Sequence, residues 1–194
     1  MRGFLSLVVL LNFLLMKKEE IIQKMQERHQ AFFKAFAEMS DDDFVLHFEE
    51  KWSPGQHLLH MYRSVKALGQ ARMVPNFVIK QMYGSAKVPS LSYEDLVQRY
   101  QNKLAKGGKA TGKYIPPEVV TEQKTAILEK FRKEIAKLNG WIAKFSEKQL
   151  DTLMLPHPLI GKITLREMLY FTLHHVRHHH EIVFRDLELA KNHN

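Results

Sequence analysis

The sequence predicts an all-α protein, a bundle of four long amphipathic helices with long connections and short extra helices. Three observations carry the prediction. Apolar residues recur at a 3.6-type period over four long stretches. Two of those stretches open on capping boxes, Ser53-Pro54-Gly55-Gln56 and Thr164-Leu165-Arg166-Glu167. No stretch reads as a convincing strand, and there is no internal repeat or low-complexity tail.

The first helix is expected from about Lys17 to Met39, with Ile22, Met25, Phe32, Phe36 and Met39 on its stripe and His29 among them. His29 reads as a hydrogen-bonded core histidine, with a fourth metal ligand as the competing reading. Ser40-Asp41-Asp42-Asp43 ends the helix. The second helix starts after Ser53, a natural N-cap, with Pro54 at the first helical position and Gln56 completing the box; it should reach Leu68 or Gly69. Trp52 is placed to pack back on its first turn. Pro75, Gly84 and Pro89 mark a long connection holding a short helical stretch. Ser92 to Leu104 reads as a further short helix, with Glu94 and Asp95 favourably near its start.

Gly107, Gly108, Gly112 and Pro116-Pro117 form a loop. Its Gly107-Gly108-Lys109-Ala110-Thr111-Gly112-Lys113 nearly spells a phosphate-binding loop. Tyr114 stands where magnesium coordination needs Ser or Thr, and no buried strand precedes it, so a basic loop near the site mouth is the working reading. The third helix is expected from about Glu118 to Phe145, with Val120, Ile127, Leu128, Phe131, Ile135, Leu138, Ile142 and Phe145 facing inward. A short turn over Ser146 to Leu153 follows, then Pro156 and Pro158 flanking His157. The fourth helix should run from Thr164 to about Leu189 on a stripe of Leu165, Met168, Leu169, Thr172, Val176, Ile182, Val183 and Leu189.

Bulk properties narrow the function. A chain of 194 residues fits one domain with a sizeable core. The absence of cysteine excludes disulfides, thiolate ligands, iron–sulfur clusters and a catalytic cysteine, and suits a cytoplasmic setting. The net charge of +8 invites a nucleic-acid reading. The lysines are interleaved with Glu122, Glu129 and Glu134 as on a solvated face, and no aromatic-plus-basic module appears, so no nucleic-acid partner is expected. Residues 1–15 form an apolar extension, too short for an ordinary spanning helix and without a small-residue cleavage site. It reads first as an upstream-extended start, then as a membrane-targeting segment, and last as a packed extra turn. Met16 looks like a natural start, and no membrane association is expected of the 16–194 domain.

The histidines of the fourth helix carry the functional reading. His175 lies seven residues from both Met168 and Ile182, and His179 lies seven from Thr172. Both therefore face the core, one turn apart, where two imidazoles can grip one metal ion. His174 shares a face with Glu167 and Glu181 and reads as solvated; His178 aligns with Phe171 and Arg185, and His180 with Leu173 and Leu187. The third ligand is expected to be His60, in the second turn of the Ser53 helix, on a side shared with His57, Ser64 and Ala67. Di-iron carboxylate chemistry needs inward Glu residues, and the last helix offers only Asp186. No G-x-S-x-G supports a serine hydrolase.

Trp52-Ser53 leading to His60, together with His175-x-x-x-His179, resembles the DinB superfamily of four-helix-bundle proteins, YfiT-like members included. The lead-in Pro156-His157-Pro158-Leu159-Ile160-Gly161-Lys162-Ile163-Thr164 is similar to DinB text, and Ser92 to Gly112 is similar to one subgroup. The resemblance spans Met16 to Leu189. Its three metal ligands correspond to His60, His175 and His179. Ile182 departs from the pattern, because family members often have Gln there. The resemblance implies a homodimer and a divalent-metal-dependent enzyme of thiol S-transferase or hydrolase type, acting on a small molecule, with a low-molecular-weight thiol as cosubstrate in the first case.

From the residues alone, three neutral imidazoles leave a metal with open positions, as in catalytic sites. Zn²⁺ is the default, and Ni²⁺ or another divalent ion also suits the donor set. No general base is identifiable; His57, His157 and His178 are read only as residues that could stand beside the ligands and support them. The rival reading is a non-catalytic bundle dimer whose site is structural or degenerate.

Overall fold

The computed structural model describes residues 15–192; residues 1–14 of the apolar extension lie outside the described residues. Among the described residues there are eight α-helices and one small hairpin: α1 (Lys18–Glu38), α2 (Asp41–Val45), α3 (Pro54–Gln70), α4 (Asn76–Tyr83), α5 (Tyr93–Ala105), α6 (Lys124–Ile142), α7 (Glu147–Thr152), β1 (Met154–His157), β2 (Gly161–Thr164) and α8 (Leu165–Asn192). The protein is all-α and of the helical-bundle class, as its periodicity predicts. None of these helices is long and apolar enough to cross a membrane.

The chain divides into two compact units. The first comprises residues up to Gln23, Pro75–Lys109 and Ile142–Phe171. It contains the hairpin, and here the structure corrects the expectation of no strands: Met154 pairs with Thr164 and His157 with Gly161 in antiparallel register. Strands of four residues, one of them interrupted by Pro156, are too short to show alternation. The turn is held by a side chain. The backbone N–H groups of Leu159 and Ile160 donate to His157 Nδ1 at 3.1 and 3.3 Å, and Gly161 takes a positive φ of 79°. His157 is thus a buried turn-holding residue, and burial holds its pKa down at about 4. The capping box before α8 is formed as expected: Thr164 N–H donates to Glu167 Oε2 at 2.8 Å and Glu167 N–H to Thr164 Oγ1 at 3.1 Å.

The second unit comprises Lys24–Val74, Ala110–Trp141 and Thr172–Asn194. Its core is an aromatic cluster. Phe32 stacks on Phe36 at 4.4 Å, and Phe33 meets Phe131 edge-on at 5.0 Å. His29 sits within this cluster, fully buried, with Nδ1–H donating to Met25 O at 2.8 Å and its ring edge-on to Phe131 at 5.6 Å. It is a core histidine, as its stripe position suggested.

Ser53 and Gln56 cap α3 reciprocally, at 2.9 and 3.3 Å, and Gly55 lets Phe44 of α2 lie against the first turn. A Cβ at Gly55 would stand 2.9 Å from Phe44 Cε1. The α3 N-terminus is therefore fixed in place, and with it the histidines of its first two turns. α6 starts six residues later than expected. Residues 118–120 stay non-helical, Val119 is buried, and Gln123 Oε1 accepts from Val120 N–H before the helix begins.

Burial of His29 lowers its pKa from the usual 6.5 to about 4. The unfolded chain takes up this proton near pH 6.5 and the folded chain only near 4, so the stabilisation is complete above 6.5 and is lost as pH falls towards 4. That difference is worth roughly 3 kcal/mol. His29→Leu should therefore show a distinctly smaller drop in urea midpoint between pH 7 and pH 4.5 than the wild type. Equal drops in the two proteins would assign the acid sensitivity elsewhere.

Candidate metal centre

Two elements of the second unit carry the site. α3 presents His57 and His60, three residues apart and so neighbours on one helix face. α8 presents His175 and His179, one turn apart. The structure brings His60, His175 and His179 together, as expected. His175 Nε2 lies 3.2 Å from His60 Nε2 and 3.0 Å from His179 Nε2. All three side chains are buried, and the ligand atoms they offer lie within 4.8 Å of one another.

The donor chemistry fits a cation. A neutral imidazole has one proton for two nitrogens. His60 Nδ1 lies 2.7 Å from the Tyr114 carbonyl, which can only accept, so the proton of His60 is on Nδ1 and its Nε2 presents a lone pair to the cluster. A tetrahedral zinc ion with bonds of about 2.0–2.1 Å separates its ligand atoms by about 3.3–3.4 Å. The two observed separations fall close to that value. Burial lowers the pKa of His60 and lowers that of His179 well below 6.5, His179 further through the neighbouring His175, His57 and His60. Neutral rings are what a metal ligand requires.

The surroundings hold these rings in place. Trp52 lies 5.1 Å from the His60 ring and 5.5 Å, edge-on, from His57. His57 Nδ1 stands 2.8 Å from His179 Nδ1. The glycine-rich loop closes on the same place. It has no phosphate-loop geometry: Gly107 and Gly112 take positive φ, a 3₁₀ turn spans Gly112–Tyr114, and its contribution is the Tyr114 carbonyl. Arg63 ties the loop down by donating to Ile115 O at 3.0 Å and Lys113 O at 3.3 Å.

The family model of the DinB superfamily matches residues 24–183. The chain belongs to the DinB superfamily. A search among curated proteins gives no match for this DinB chain. Within it, the other histidines take different places from the triad. His29 is engaged in the phenylalanine core, and His157 holds the hairpin turn. His178 is half-buried. His174 corrects the sequence reading: it is 4% exposed rather than solvated, and Glu167 of the same face is also buried, accepting from Leu91 and Thr164 N–H. The charged residues assigned to that face misled, because one of them is a capping residue. One contributor was not foreseen. The Tyr114 carbonyl has no side-chain signature. His57, read from sequence as a residue that could stand beside the ligands, does so, with Nδ1 2.8 Å from His179 Nδ1. Its only sequence signal was the three-residue spacing to His60.

Proposed function

We propose that this DinB chain binds one divalent metal ion through His60, His175 and His179 and acts as a metal-dependent enzyme on a small molecule, of thiol S-transferase or hydrolase type. The observation that supports it most is the convergence of three buried imidazole nitrogens with no fourth protein ligand grouped with them among the described residues. A divalent ion in such a site supplies Lewis acidity and lowers the pKa of a water or thiol beside it. The chain's own residues do the rest. The Tyr114 carbonyl orients His60, α8 fixes the His175–His179 spacing, and the rings of Trp52 and His57 exclude water from one flank. Zn²⁺ is the first choice and Ni²⁺ the second for an all-imidazole donor set. A cytoplasmic setting and a homodimeric assembly belong to the same reading.

The test compares chelator-stripped, zinc-loaded and nickel-loaded chain in two assays: transfer of glutathione or cysteine to a chromogenic aryl halide, and hydrolysis of nitrophenyl esters. Turnover in a loaded form of the wild type and its loss in His175→Ala are expected. No acceleration over buffer in either assay by a fully loaded chain would favour the non-catalytic bundle, to which Ile182 in place of a polar residue also points.

A further inference from the structure

We propose that His57 is a positioning residue that sets the tautomer of His179, so that the site contains one preorganised ligand and one conditional ligand. This rests on the reading of His179 as a ligand through Nε2. The case is an accounting of protons. His60 faces a carbonyl, an obligate acceptor, and its lone pair is on Nε2 whatever else is bound. His179 faces a second imidazole, with the two Nδ1 atoms 2.8 Å apart. One of the two rings must donate and the other accept.

If His57 donates, His179 carries its own proton on Nε2, pointing at His175 Nε2 at 3.0 Å, and it offers the cluster no lone pair. If His57 accepts, the His179 proton is on Nδ1 and Nε2 is free to coordinate. Both arrangements leave each ring neutral, so the exchange costs no buried charge. Only the second makes His179 a ligand.

Coordination by His179 through Nε2 therefore requires His57 to accept at Nδ1 and to carry its own proton on Nε2. The His57 ring is placed for this role: it is buried, held edge-on by Trp52, and set at 5.0 Å from the His179 ring.

The experiment measures the zinc dissociation constant of the full chain by competition with a chromophoric chelator for wild type, His57→Leu and His57→Asn. Asparagine keeps an acceptor where Nδ1 stands, and leucine keeps only the volume. Leucine should weaken zinc binding by about 10–100-fold and asparagine by less than about threefold. Long-range ¹⁵N–¹H spectra of the zinc-loaded wild type should show His179 protonated on Nδ1. Zinc binding by His57→Leu at wild-type strength, or a loaded wild type with His179 protonated on Nε2, would overturn the proposal. A wild type that takes no zinc defeats the ligand assignment itself, and the proposal with it. Wild-type binding with equal losses in both variants defeats the positioning role alone. Should the leucine variant not fold, the asparagine rescue and the spectrum still decide.

Discussion

His175→Ala is expected to weaken zinc binding by two to three orders of magnitude while leaving the metal-free chain folded. His175 is the hub of the cluster, because its Nε2 faces both His60 Nε2 and His179 Nε2. Four-ligand zinc sites are worth about 10–16 kcal/mol, or roughly 2.5–4 kcal/mol per ligand, and about 1.4 kcal/mol is a factor of ten. The metal-free chain loses the His175 ring contacts with His60 and His179 and gains a small void beside those imidazoles, a cost of a few kcal/mol at most. Chelator competition gives the first quantity and thermal melting of stripped protein the second. Wild-type affinity in the variant would place the ion elsewhere.

Arg166→Ala is expected to cost about 3–5 kcal/mol of stability. The Arg166 side chain is 2% exposed and among the largest fully buried side chains. Its guanidinium grips Asp151 through Nε and Nη2, reaches Glu147, and donates through Nη1 to the Met16 carbonyl. These carboxylates hold it charged despite burial, by hydrogen bonding and attraction. Truncation leaves Asp151 with only Ser90 among these partners, and leaves the Met16 carbonyl without its donor. Each kcal/mol moves the melting temperature of a chain this size by roughly 2–4 °C, so a fall near 10 °C is expected. A loss under about 1 kcal/mol would mean that water replaces the network at little cost.

The parts of the fold that the sequence announced are those written in local chemistry. Ser53 with Gln56 and Thr164 with Glu167 form reciprocal caps in the positions their spacing required. The heptad-spaced His175 and the one-turn spacing to His179 placed both rings inward. What the sequence left unannounced depends on long-range geometry. The β1–β2 hairpin is four residues a side and is held by the His157 ring as much as by strand propensity. Glu118 to Val120 reads as helical by its apolar period. It stays non-helical after two prolines, with the Glu118 carboxylate accepting from Gln56 and contacting His47. The His60 partner is a backbone carbonyl, which any residue could supply, and the His57–His179 contact joins residues 122 apart in sequence. No periodicity reports such a pair.

Zinc K-edge absorption on chelator-stripped wild type reconstituted with one equivalent of Zn²⁺ tests the three-histidine centre most directly. The result expected is one tightly held zinc per chain, with three imidazole nitrogens at about 2.0–2.1 Å and one or two lighter scatterers completing the shell. A folded chain that retains no zinc after desalting, or a zinc shell of oxygen without imidazole, would contradict it.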